Sequence, residues 1–326
     1  MDNDDSVFSE HDAFIESIAM MRKFRLDQES EAVNRRFRSR RSAFTRKLRK
    51  VWGTALDAYF RAAVYATDLG RDLAPELQSE LDFEEPHLVK VMVRLHAQAC
   101  LVAFEVWALL AAGFGQGALT RWRTLHEIAT TMLFIHEHGE DVALRFWMHG
   151  GIERSRLSRE LEAAGLEPLR AETIQEINAD RESLISRWGP NFGDTYGWAA
   201  AALGKEDKKR GPSFRDIEDS LDVLPSDTRW IYKWASNYVH PQVVGITISL
   251  GLPALYPGSL SGPSVRGLDW PGHAAMVSLQ HCTVAVATLR QNNERAIRIK
   301  VLTLLTEEAI TAFKAAAKSS RQISRQ

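Results

Sequence analysis

Ala118-Leu119-Thr120-Arg121-Trp122-Arg123-Thr124-Leu125-His126-Glu127-Ile128-Ala129-Thr130-Thr131-Met132-Leu133-Phe134-Ile135 decides the fold class. The run has neither glycine nor proline, and Trp122, Leu125, Ala129 and Met132 recur at the three- and four-residue spacing of one helix face. Beyond Glu127 it is apolar nearly all round, which predicts a helix at the centre of a bundle rather than at its rim. Arg123 and Glu127 stand one turn apart on the same side, so a central position would leave that charged pair at least partly buried.

Working outward, the chain punctuates itself into helices. Pro86 is suited to a first helical turn, and an apolar helix is predicted from there to about Ala112. Gly113-Phe114-Gly115-Gln116-Gly117 turns it back into the quoted helix, which is predicted to close at Gly139 and so completes a helical hairpin. Further helices are predicted at Asp141 to Met148, Glu153 to Ala164, Arg170 to Trp188 and Phe214 to Leu221. Pro225-Ser226 is read as the cap of another, running to Val239 before Pro241. Residues 241–271 are rich in Gly, Pro and Ser and read as a long loop that covers something, although Val243 to Leu250 could also pair as a strand. Helices over His273 to Ala296 and Ile297 to Lys318 complete the chain, with a frayed tail after Ser319.

The fold class expected is therefore all-α: an irregular multi-helix bundle with a long Gly/Pro-rich loop near residues 241–271. Residues 1–85 are expected to be an N-terminal basic helical arm, and 86–326 a bundle domain carrying the polar motifs. The 326 residues include 41 Lys plus Arg against 42 Asp plus Glu, so attraction to nucleic acid has to be local rather than global. It is local between Arg22 and Lys50, where Arg35, Arg36, Arg38, Arg40, Arg41, Arg46 and Lys47 mark a stripe that would hold phosphates. The competing reading is a solvated face, or an arm paired with the acidic N-terminus and with Glu80, Asp82, Glu84 and Glu85, with Phe37, Phe44 and Val51 as its docking side.

Two cysteines in apolar surroundings, Cys100 and Cys282, argue for a reducing compartment. The acidic start, Met1-Asp2-Asn3-Asp4-Asp5, lacks a secretory pattern, and the Cys100 to Phe114 run is too short for a membrane helix. A cytoplasmic location without membrane contact is expected.

A second polar constellation, Tyr232-Lys233-Trp234-Ala235-Ser236-Asn237-Tyr238-Val239-His240, places Tyr232, Ser236 and His240 along one helix side. A cation at His240 would be favoured by the helix C-terminus and would suit a general acid. The bland alternative has His240 capping the last carbonyls and Ser236 bonding back within its helix. His126, Glu127, His136 and His138 do not form His-Glu-x-x-His, and neither a metal nor a cofactor is expected.

These residues resemble a known pattern. Ala118-Leu119 with Arg123-x-x-x-Glu127, followed by Tyr232-x-x-x-Ser236-x-x-Val239-His240-Pro241, is similar to the bacterial family called domain of unknown function 5677, over about residues 95–250. That resemblance implies an all-helical domain of intracellular proteins with Arg123, Glu127, Tyr232, Ser236 and His240 as its polar set. Arg121 to His126 also resembles the arginine–histidine spacing of the helical ribonucleases of the HEPN superfamily. There the two side chains polarise an RNA 2′-hydroxyl and the scissile phosphate without metal, often across a dimer, so the likeness implies a second copy as a partner. Trp122 replaces the polar residue that follows the arginine in that family, and His126 leans to the apolar side of its helix, which supports a buried structural histidine instead.

The first functional expectation is a nucleic-acid-directed effector, a metal-independent RNase of a defence or toxin system. In it Arg123 and Arg121 bind phosphate, His240 or His126 moves the proton, and Glu127 orients them. The second is a non-enzymatic ligand-binding or sensor module, and the third a metal-dependent hydrolase.

Overall fold

Helix starts and stops follow the glycine and proline signals over most of the chain. The computed structural model describes residues 4–81, 85–166, 170–224, 226–240, 242–253 and 258–323. Among these are ten α-helices and no strand: α1 (Asp4–Gln28), α2 (Ser30–Leu81), α3 (Pro86–Ala111), α4 (Gly115–Ala163), α5 (Ala171–Trp188), α6 (Phe214–Asp219), α7 (Ser226–Val239), α8 (Val243–Thr247), α9 (Asp269–Ala287) and α10 (Asn293–Ile323). Pro225, read as part of a helix cap, and Pro241 lie outside the described residues.

Contacts divide the chain into two units, Met1–Lys50 and Val51–Gln326. The first holds α1 and the start of α2, with Lys23 paired to Asp27 and Arg35 to Glu31 along the helix surface. Phe37 is exposed, so the docking side expected from Phe37, Phe44 and Val51 is only partly covered. The second unit begins inside the stretch read from sequence as arm, because Trp52, Leu56 and Tyr59 of α2 are fully buried in it.

Within the second unit α3, α4 and α9 pack on one another and α10 packs on α9. The α2 segment is tied in by its side chains: Tyr59 donates to the Ala103 carbonyl at 2.8 Å, Trp107 donates to the Leu56 carbonyl at 3.0 Å, and Trp52 meets the ring of Phe313. Each such large buried side chain contributes roughly 1.5–3 kcal/mol of transfer free energy. Among the described helices α3 alone is long and apolar enough to cross a membrane; here its Val91, Met92, Val102, Ala103 and Val106 are buried in the bundle.

Three sequence expectations are corrected. The separate helices at Asp141–Met148 and Glu153–Ala164 are one, because Gly150 and Gly151 do not break α4. At Gly151 an added Cβ would lie 2.6 Å from Leu184 and Asp180, so the glycine serves the close approach of α5. The real discontinuity is at Gly139, whose φ of 72° and ψ of −151° are non-helical, so the quoted helix closes there as expected and α4 is two helical segments joined across a kink. Val243–Leu250 pairs with no strand among the described residues; α8 forms there, held by Thr247 donating to the Val243 carbonyl and Tyr238 to the Ile248 carbonyl. The long loop over 241–271 is thus interrupted by α8 and ends at Asp269. Finally, the break between the last two helices comes at 288–292, not at Ala296, because the Asn292 side chain accepts from the Arg295 amide at 2.8 Å and caps α10.

The remaining loop does cover something: Ser264 donates its amide to the Gly113 carbonyl at 2.9 Å, and Val265 accepts from Trp52 at 2.8 Å, pinning it over the α3–α4 turn.

One core residue makes stability pH-dependent. Thr283 spends its hydroxyl proton on the Leu279 carbonyl, so the buried His96 donates from Nε2 to Thr283 Oγ1 at 3.0 Å and is neutral. Burial pushes the His96 imidazole down to about 4 from its ordinary 6.5. An unfolded chain takes up the proton near 6.5 while the folded one resists until about 4, so the unfolded state binds more protons in that window. Stability present above pH 6.5 is expected to fall by up to about 3 kcal/mol as the pH drops to 4. Urea unfolding at stepped pH checks this, with His96→Gln expected to flatten the dependence.

Candidate functional site

The two polar constellations meet where α7 crosses α4. Tyr232 donates its hydroxyl to Glu127 Oε1 at 2.5 Å, and Arg123 Nε donates to the same oxygen at 3.2 Å. The Arg123 guanidinium also lies over the Tyr232 ring, 4.8 Å from its centre. Burial and the Glu127 carboxylate push the Tyr232 phenol above its ordinary range, so it keeps its proton and stays a donor. Tyr196, which sequence reading missed, joins this cluster: burial and then Glu127 raise its phenol, and its ring touches Phe214, which stacks on Tyr232. No spacing signal could have found it, since it sits in an irregular segment after α5.

Ser236 is on the same helix but turned to its own backbone, donating to the Tyr232 carbonyl at 3.1 Å. His240 is exposed just past the end of α7 and faces a different space. This is an open groove of about 720 Å³, walled by Arg121, Thr120 and Thr124 of α4 and by Asn237, Tyr238 and His240. Arg121 donates to Glu105 and, at 3.3 Å, to Thr124 Oγ1. The arginine that shares a space with His240 is therefore Arg121, while Arg123 is committed to Glu127 and Tyr232.

His126 points elsewhere again. It is 1% exposed and donates from Nε2 to Glu218 of α6 at 2.9 Å. Burial favours the neutral Glu218 carboxyl, but His126 and the Arg229 guanidinium together outweigh that and hold it below the usual carboxylate range. The imidazole is packed between rings, stacked on Trp122 and against Phe214 and Tyr232. The buried histidine read from sequence is present, and its partner Glu218 was not foreseen, because 92 residues separate the two.

Among the described residues no three His, Cys, Asp or Glu side chains are grouped as metal ligands. Glu80 and Glu85, offered as acidic partners for the arm, are engaged by Arg295 and Arg290; Asp82 and Glu84 lie outside the described residues.

No curated protein and no solved structure matches the chain. A family model does match, over residues 89–252, which takes in nearly all of α3, all of α4 to α8 and both polar constellations. Covering half of the sequence and the whole of the α4–α7 crossing, that match places the chain in the family of unknown function DUF5677.

Proposed function

We propose that the groove between α4 and the end of α7 is a metal-independent RNA-cleaving site, and that the protein is a nucleic-acid-directed effector. The observation that carries this is the convergence of Arg121 and His240 on one open groove, together with the hydroxyl of Thr124. Arg121 and Glu105 are 36% and 41% exposed, so their pairing is worth about 0–1 kcal/mol and yields readily to a phosphate.

In this reading Arg121 and the Thr124 hydroxyl hold the scissile phosphate, and His240 takes the proton of the neighbouring 2′-hydroxyl. The 2′-oxygen attacks phosphorus as the bond from phosphorus to the 5′-oxygen breaks, and the leaving 5′-oxygen takes a proton from solvent water, giving a 2′,3′-cyclic phosphate end and a 5′-hydroxyl end. Tyr232, Glu127 and Arg123 are positioning residues: their bonds fix α7 on α4 and so set the distance between His240 and Arg121. The test is incubation of RNA with the purified protein in EDTA, with the ends analysed. Cyclic-phosphate products support the reading; intact RNA with folded protein at high concentration overturns it.

In the N-terminal unit Arg36, Arg38, Arg40, Arg41, Arg46 and Lys47 are exposed along α2, which supports RNA retention by phosphate contacts. Replacing Arg36, Arg38, Arg40 and Arg41 together by alanine is expected to reduce the slope of log affinity against log salt by about 3 for single-stranded RNA. Filter binding across a salt series checks this, and an unchanged slope would leave the arm a solvated face.

A further inference from the structure

His126 also lines a second cavity, of about 280 Å³, between α7 and α9. Its walls are apolar and aromatic for the most part, with Trp122, Trp230 and Trp270 as the largest surfaces. Its polar groups are the imidazoles of His126, His273 and His281 and the hydroxyls of Thr228 and Ser278; among the described residues no Lys, Arg, Asp or Glu lines it. The volume is just below the usual range for small-molecule pockets, about 300–1,000 Å³, which suits a molecule of one or two rings.

The side chains around it are held in place rather than collapsed. Trp122 Nε1 donates to Ser278 Oγ at 3.0 Å, and Glu218 fixes the ring plane of His126. Trp230 and Trp270 meet edge to face at 4.9 Å and remain 50% and 39% exposed. Two half-exposed tryptophans at one cavity are costly to leave in water and are the surfaces that a flat molecule would cover. Burial and the neighbouring His126 push the His281 imidazole below its ordinary range, leaving it a neutral ring that can both donate and accept.

We infer that this cavity is a binding site for an uncharged planar heteroaromatic molecule of one or two rings. One face lies on Trp270, with Trp230, set at 64° to that ring, at its edge, and its polar edge is read by the imidazoles of His126 and His281 and the Ser278 hydroxyl. A charged ligand meets no Lys, Arg, Asp or Glu among the described wall residues, and the His126 ring is already paired with Glu218, so its charge would be desolvated without return. A saturated ring would forfeit the stacking on indole. The inference stands on cavity residues alone and is independent of RNA cleavage in the groove. Trp270, His273, Ser278 and His281 also lie beyond the segment shared with the family, so the site joins shared and unshared sequence.

The full chain titrated with adenine and with nicotinamide, followed by tryptophan fluorescence and calorimetry, tests it. At least one probe is expected to bind, with benzoate and cyclohexanemethanol at least tenfold weaker. Trp270→Ala is expected to weaken binding at least tenfold by removing a stacking face, and Val277→Phe to do the same by filling the space. Trp270 is half exposed, so its loss leaves the fold intact, which circular dichroism verifies. Absence of binding by both probes, or binding that both variants leave unchanged, overturns the inference.

Discussion

His240→Ala is expected to lower metal-free RNA cleavage by about 100- to 10,000-fold, the range for a lost general acid or base. The side chain is exposed past the end of α7, so its removal is expected to move folding stability by no more than about 0.5 kcal/mol. Activity and stability thus separate in one variant, with product ends read by gel and unfolding by urea titration. Ser236→Ala is the internal contrast, because that hydroxyl is spent on the Tyr232 carbonyl and is expected to change cleavage little. Tyr232→Phe removes the bond to Glu127 but no group from the groove, so it is expected to have an intermediate effect that leaves the pH profile in place. Cleavage by His240→Ala at the rate of the parent chain would remove the histidine from the chemistry.

The Glu76→Ala/Glu80→Ala double variant is expected to cost about 3–5 kcal/mol, the largest stability change foreseen here. Arg295 is 2% exposed, and its guanidinium is clamped by both oxygens of Glu80 at 3.0 Å and by Glu76 at 3.1 Å, with the Arg290 carbonyl at 3.1 Å from Nη1. Arg295 Nε has no partner, so the two terminal nitrogens carry the whole interaction. Removing the carboxylates strands a buried cation that cannot shed its proton, whereas burial of a neutral side chain would cost far less. The exposed pair Arg61–Glu308, broken by Glu308→Ala, is expected to cost less than about 1 kcal/mol. Urea midpoints for the two variants are the measurement; a clamp variant within 1 kcal/mol of the parent would mean that water reaches the guanidinium.

Short-range features were legible because they depend on neighbours three and four residues away. The α3–α4 hairpin follows from Pro86 and the Gly113–Gly117 turn, and Arg123 and Glu127 share a face because any helix puts them there. The misread helix at Gly150–Gly151 shows the limit of that approach. Glycine weakens a helix on average, but there the missing Cβ admits α5, and the partner's presence is invisible from the local pattern. Similarly, Ala296 offered no stop signal, while Asn292 supplied a cap that a helical reading had passed through.

The candidate sites divide along the same line. Tyr232 could be named from its own helix, but that it donates to Glu127, 105 residues away, is a consequence of α7 crossing α4. The same crossing sends Arg121 and His240 to one groove and His126 to another space, although Arg121, Arg123 and His126 lie within two turns of one helix. What the amino-acid order determined by itself is helicity, the hairpin and the residue types available, since these rest on backbone geometry and local periodicity. Only the tertiary structure decided which imidazole faces solvent and which is paired with Glu218, because that depends on the angle at which helices distant in sequence bury one another's faces.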